Sequence, residues 1–322
     1  MANKPRRTLN LDNIRIFLPS VLAVIALLVL GRYLSGRFLT VKNLGSILMT
    51  SSILMFATVA QNIVLISGNN GIDLSVGAVM SMTALLGPTI PMATVGEFAL
   101  AIVAVMGMGA ACGLINGAGI RQLGIPALIM TLIMAGVVTG FTMYVTKGRP
   151  AIELSPLLLG VSKTVFPMFR VLTLAAIAAV AALEIILRKT RIGRSLTLVG
   201  DNPRAAELCG LRVSLISVLA YVSSGAIAGF AGLMLVGYTG SAVMKMADGY
   251  TLLSVAAAII GGTSVSGGRG SFIGGALGAI VFVVLNSILQ VLRIPEGARY
   301  VIQGCLLVVI LLTNNRSQKL RQ

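Results

Sequence analysis

Histidine is absent from the chain, cysteine occurs three times, and acidic residues number nine in 322 positions. Without histidine the commonest general base and metal ligand is missing. Cys112, Cys209 and Cys305 stand far from any metal-ligand spacing, and two of them fall inside apolar runs. Neither a zinc site nor a disulfide framework is indicated. No Gly-Lys-Ser or Gly-Lys-Thr occurs, so the chain carries no nucleotide-binding P-loop. No paired aspartates in facing spans and no Ser-Lys dyad suggest an intramembrane enzyme. Charge of both signs is scarce, at 11% of residues, where a soluble domain carries roughly 25%. A surface that poor in charge has to face lipid.

What is present agrees. The chain is 57% hydrophobic, with a mean hydropathy of +0.98. Charge-free runs cover 16–31, 43–72, 74–96, 98–120, 122–146, 171–183, 213–244, 249–268, 270–292 and 300–315. They lack period-2 alternation, and in lipid an unbroken apolar run satisfies its backbone only as helix. The fold class expected is an all-α polytopic membrane protein of about ten transmembrane helices. A single transmembrane domain over 1–322 is expected, with no room for a separate soluble domain. The first run is read as a retained span, since Arg32-Tyr33-Leu34 follows it instead of a small-residue cleavage site. The short run 171–183 is expected to let Arg170 and Glu184 snorkel to the interfaces.

The net charge of +16 would suggest nucleic acid in a soluble protein; in this one it reflects basic loops on the cytoplasmic side of a lipid membrane. With ten spans and a cytoplasmic N-terminus, fifteen Lys and Arg fall inside and ten outside, accounting for all 25. That bias favours both termini in the cytoplasm.

An internal repeat is visible. Asn116 opens a stretch ending Gly124-Ile125-Pro126, and Asn286 opens a similar one ending Arg293-Ile294-Pro295. Gly71-Ile72-Asp73-Leu74-Ser75-Val76 begins run three, as Gly249-Tyr250-Thr251-Leu252-Leu253-Ser254-Val255 begins run eight. Two halves of five spans, about 16–146 and 165–315, would be inverted relative to each other, an architecture common in transporters.

Four patterns bear on function. Asp73 and Ser75, preceded by Asn69 and Asn70, put polar groups where an apolar helix begins, either as a cap or as a lining of the solute path. Thr251 and Ser254 hold the matching place in the second half, and these six residues are the candidate substrate path. Gly261 to Ser271 reads as a glycine-rich turn between packed helices. Glycines four apart (Gly109, Gly113, Gly117; Gly225, Gly229; Gly270, Gly274, Gly278) allow close helix approach in lipid. Finally, the cytoplasmic loop 188–212 carries Arg191, Gly193, Arg194, Gly200, Asp201, Asn202, Pro203, Ala205, Ala206, Glu207 and Gly210. Asp201 or Asn202 caps a two-turn helix, Pro203 suits its first position, and Gly210 stops it. So short a helix is marginal alone and has to pack on something.

Gly71 to Gly77, Arg191-Ile192-Gly193-Arg194 leading to Gly200-Asp201-Asn202-Pro203 and Ala205-Ala206, and Ile260-Gly261-Gly262-Thr263 through Gly267-Gly268-Arg269-Gly270 occur in that order. Together they resemble the permease subunit of ABC importers of the ribose, xylose, arabinose and autoinducer-2 class, over roughly residues 35–315. The resemblance implies a subunit of the bacterial inner membrane with no active site of its own. It implies pairing with a second permease copy or paralogue, solute delivery by an extracytoplasmic binding protein, and drive from an ATPase subunit that binds the ATP and magnesium. Loop 188–212 would be the segment coupled to that ATPase. A monosaccharide is the solute class implied; autoinducer-like compounds and nucleosides stay open. A self-sufficient, gradient-driven transporter is the alternative class. Two departures from the family pattern stand out. Asn69 and Asn70 precede Gly71 where the family reads Gly-Gly-Ile-Asp, and Thr251 and Leu253 stand where acidic residues are common.

Overall fold

The computed structural model describes residues 11–68, 71–149 and 154–319. Thirteen α-helices follow one another: α1 Leu11–Leu34, α2 Val41–Ile66, α3 Val76–Leu86, α4 Val95–Arg121, α5 Ala127–Thr146, α6 Pro156–Leu159, α7 Val171–Lys189, α8 Arg191–Asp201, α9 Pro203–Leu208, α10 Val213–Thr239, α11 Asp248–Ile260, α12 Phe272–Val291 and α13 Glu296–Lys319. A small antiparallel hairpin, β1 Thr164–Phe166 with β2 Phe169–Arg170, precedes α7. The protein is an all-α polytopic membrane chain. Six helices (α2, α4, α5, α7, α10 and α12) are long and apolar enough to cross a bilayer.

Each charge-free run holds one helix, but run length misjudges helix length in three places. Run 74–96 contains only the 11 residues of α3, about 16 Å at 1.5 Å per residue. Run 249–268 contains only the 13 residues of α11, about 20 Å. Neither spans a hydrocarbon layer of about 30 Å. Both are partial helices joined to irregular backbone, Gly71–Ser75 before α3 and Gly261–Ser271 after α11. Conversely, α7 continues through Glu184 to Lys189, so the run thought short is a helix of 19 residues. Glu184 does not snorkel. It is 5% exposed and turned inward, because the start of α12 offers it donors.

The centre is α2. Of its most apolar window 89% is buried inside the protein, as expected for a helix apolar on every face. It packs against α7, α10, α11 and α12, and α12 also packs on α1. The strongest association is antiparallel, α4 with α10. There a Cβ on Gly109 would overlap Gly225 O, one on Gly225 would overlap Gly109 O, and one on Gly113 would overlap Tyr221 O. Lipid offers helices little hydrophobic reason to associate, so van der Waals contact between bare backbones carries this interface.

Gly109→Val is therefore expected to push α4 from α10 and cost at least about 3 kcal/mol, the upper end for overpacking a tight contact. Gly136→Ala, where an added Cβ meets nothing within 4 Å, serves as control. Thermal unfolding of the detergent-solubilised chain checks this; equal transition temperatures for the two variants would refute it.

Candidate functional site: a buried carboxylate and the coupling helices

The backbone reverses after α2 at Ser67 and Gly68, the latter with φ +82, and returns into the apolar layer through Gly71–Asp73. Asp73 is 1% exposed, and a carboxylate at that depth needs partners. Its Oδ1 accepts from Ser75 N at 2.9 Å and Ser75 Oγ at 2.6 Å. Its Oδ2 accepts from Ser224 Oγ of α10 at 3.2 Å. Asn116 Nδ2 of α4 donates to Ser75 Oγ at 2.9 Å. In the amide orientation that satisfies both atoms, Gln61 of α2 donates to Asp73 O and accepts from Asp73 N, each at 3.1 Å. Thr131 of α5 accepts from Leu74 N at 3.0 Å and donates to Ile72 O at 3.2 Å. One turn of irregular backbone thus ties five helices: α2, α3, α4, α5 and α10.

The other expected path residues are placed as follows. Thr251 Oγ1 accepts from Gly77 N at 3.1 Å, joining the first turns of α11 and α3. Ser81 Oγ accepts from Ala247 N at 3.1 Å beside it. Ser254 is fully buried and donates to Thr251 O of its own helix at 2.9 Å. Asn69 and Asn70 lie outside the described residues. Gln61, Asn116, Thr131 and Ser224 were missed in the sequence. Each is one of the few polar letters inside an apolar run, and only the fold brings them to Asp73.

Loop 188–212 holds two helices where one was expected. Arg191–Asp201 forms α8, capped by Thr190 Oγ1 accepting from Gly193 N at 3.3 Å. Next comes the anticipated α9, capped by Asn202 Oδ1 accepting from Ala205 N at 3.0 Å, with Pro203 in its first turn. Gly210, φ +79, ends it by donating to Glu207 O at 2.9 Å. Gly193, Gly200 and Ala206 face inward; Arg191, Arg194, Asp201, Asn202, Ala205, Glu207 and Gly210 are exposed. Two apolar side chains stand out on this face, Ile192 at 75% and Leu208 at 91% exposed.

The three motif segments meet at one point. A Cβ on Gly200 would overlap Ile66 O, and one on Gly68 would stand 2.6 Å from Gly200 Cα. Gly268 N donates to Ile66 O at 3.0 Å. Asn62 of α2 accepts from Thr263 Oγ1 at 2.7 Å and donates to Ser271 O at 3.2 Å, which pins the glycine-rich turn at both ends. Glu184 of α7 accepts from Phe272 N at 2.7 Å, Ile273 N at 3.3 Å and Ser271 Oγ at 3.1 Å, and pairs with Arg188. It caps α12 from a neighbouring helix. Among the described residues no cluster of His, Cys, Asp and Glu could hold a metal.

Asp73→Ala would leave Ser75 N–H and two hydroxyls buried without an acceptor, at a cost of about 3 kcal/mol. Asp73→Asn keeps one acceptor oxygen and should lose about half as much. The ordering of transition temperatures in detergent, wild type above Asn above Ala, tests the hub; an Ala variant as stable as wild type would contradict it.

The chain matches the family described as "Branched-chain amino acid transport system / permease component" over residues 20–311. It is 30% identical over 311 residues to the ribose import permease protein of Escherichia coli strain K12, covering 93% of this chain and 94% of that one. It is 33% identical over 313 residues to the autoinducer 2 import system permease protein of Shigella flexneri, covering 92% of this chain and 86% of that one. No solved structure matches it. With a family match spanning nearly its whole length, the chain belongs to the transport-system permease components.

Proposed function

We propose that this chain is the membrane-spanning permease subunit of an ATP-driven importer and forms the path for a small polyhydroxylated solute, most simply a monosaccharide. The observation that carries the proposal is the junction at Gly200. There the inner face of α8 bears on the end of α2 and on the glycine-rich turn after α11. A push on α8 and α9 from the cytoplasm would therefore reach the irregular backbone flanking both partial helices, α3 and α11. In alternating access, hydrolysis in a partner ATPase, which binds the ATP and magnesium, would supply that push. The exposed residues of loop 188–212, with Ile192 and Leu208, are the surface offered to it.

Contact pattern supports two inverted five-helix halves within ten spans. The pair α4–α10 has its counterpart in α12–α2, α3–α10 in α11–α2, and α3–α5 in α11–α13. Basic residues concentrated in loop 188–212 support cytoplasmic termini in a bacterial inner membrane. The solute path would run where α3 and α11 meet, along the segments carrying Asn69, Asn70, Asp73, Ser75, Thr251 and Ser254. A second permease copy or paralogue would complete it, and an extracytoplasmic binding protein would deliver the solute. Similarity to an autoinducer 2 import permease supports a furanosyl solute as the second reading. The family description names amino acids, while the two relatives are named for ribose and autoinducer 2, so the family alone does not select the solute.

Leu208→Asp on the tip of α9 is expected to abolish recovery of the ATPase with the tagged chain from mild detergent, and to lower ATP-driven uptake at least tenfold. The amount of chain in the membrane should not change. Undiminished uptake with no ATPase recovered would point to a gradient-driven transporter.

A further inference from the structure

A cavity of about 170 Å³ opens between α2, α11, α12 and α13, lined among others by Tyr250, Asn286, Glu296, Arg299, Tyr300 and Gln303. That is room for several waters or one small solute. Its wall is unusually polar for a cleft between apolar helices. Arg299 Nη1 donates to Asn286 Oδ1 at 3.3 Å, and Tyr300 OH donates to Glu296 Oε1 at 3.3 Å. Arg299 Nε is buried and has no partner. Glu296 and Arg299 stand one turn apart yet form no ion pair; among the described residues the salt bridge found is Glu184–Arg188.

The repeat shows what is special about this place. Asn286 corresponds to Asn116, and the start of α11 to the turn holding Asp73. In the first half that space is closed: Asn116 bonds Ser75, and Ser75 bonds Asp73. Carrying the register through Pro126 and Pro295, the face of α5 bearing Ala127, Met130, Thr131 and Met134 corresponds to the face of α13 bearing Glu296, Arg299, Tyr300 and Gln303. One half fills the site with apolar side chains and an internal carboxylate. The other leaves it open and lines it with charge, amide and phenol. Of these groups Gln303 is buried and Asn286 and Arg299 are half-buried, and polar groups enclosed between apolar helices are expected to serve a ligand.

We infer that this cavity is a solute subsite on the extracytoplasmic side of the path, and that it takes a neutral polyhydroxylated ring of monosaccharide size. One carboxylate and one guanidinium face it, so the site carries no net charge to satisfy with an ion. Arg299 and Gln303 can donate to hydroxyl oxygens, while Glu296, Asn286 and Gln303 can accept from hydroxyls. Tyr250 and Tyr300 offer flat apolar faces for the C–H side of a ring. The inference rests on the importer reading above and extends it by naming which residues meet the solute.

The test uses Asn286→Cys in the assembled transporter, with Cys112, Cys209 and Cys305 replaced by serine. Right-side-out vesicles are treated with a membrane-impermeant maleimide, with and without millimolar D-ribose, D-xylose or D-glucose. We expect labelling from outside, slowed at least fivefold by one of these sugars. Tyr33→Cys, at a position 88% exposed, should label at the same rate with or without sugar. Adding Arg299→Leu should leave labelling intact and raise the sugar concentration needed for protection about tenfold. Failure of Asn286→Cys to label, or labelling that no sugar slows, overturns the subsite. ATP-driven uptake of the same sugars by the wild type separates the two readings. Uptake with unprotected labelling leaves the importer and removes this site; no uptake of any sugar removes the monosaccharide reading and the subsite with it.

Discussion

Two helices of this protein stop well short of the length of the apolar layer, and every break in a helix releases N–H and C=O groups that lipid cannot satisfy. The polar side chains at these two breaks and at the start of α12 answer that constraint. Asp73 takes the N–H of Ser75, and Thr251 takes the N–H of Gly77. Asn62 takes the hydroxyl of Thr263 and gives to Ser271 O. Glu184 takes the N–H groups of Phe272 and Ile273. These groups come from distant parts of the chain, so satisfying the breaks also ties the helices together. Among the described residues two carboxylates are buried, Asp73 and Glu184, and both serve in this way, Asp73 with no cationic partner there and Glu184 with Arg188.

Broken helices are costly in a fold meant only to be stable. They become useful when the break has to move. Irregular backbone at Ser67–Gly68 and Gly261–Ser271 lies against Gly200 of α8, where Gly68, Gly267 and Gly268 let backbones touch directly. Bare backbone contact transmits displacement with no flexible side chain to absorb it. The rigid partner of this device is the α4–α10 zipper, whose glycines hold one half of the bundle while the breaks shift.

In the proposed repeat the two halves use the same plan differently. Around Asp73 the first half is filled and internally satisfied, a rigid node. The corresponding place in the second half leaves Arg299 Nε buried with no partner among the described residues, while Glu296 accepts from Tyr300 OH. If the proposed repeat and subsite hold, one copy of the plan holds the bundle and the other meets the solute.

Much was legible in the sequence. Apolar runs located ten of the thirteen helices because lipid forces long runs to be helical, and Asn202, Pro203 and Gly210 marked the ends of α9 because caps are local chemistry. That Asp73 could accept a backbone N–H, as it does from Ser75, was one of two readings its neighbours allowed. What the sequence could not give was helix length inside a run: α3 and α11 end early because partners elsewhere accept their loose ends. Nor could it give the partners of Asp73 and Glu184, or α8 beside α9, or the cavity at Arg299. Local propensity and hydropathy decide that a segment is a helix in lipid. Only tertiary packing decides where a buried polar group finds its bond, because in an apolar medium that bond is worth more than any local preference, and the group that supplies it can lie anywhere in the chain.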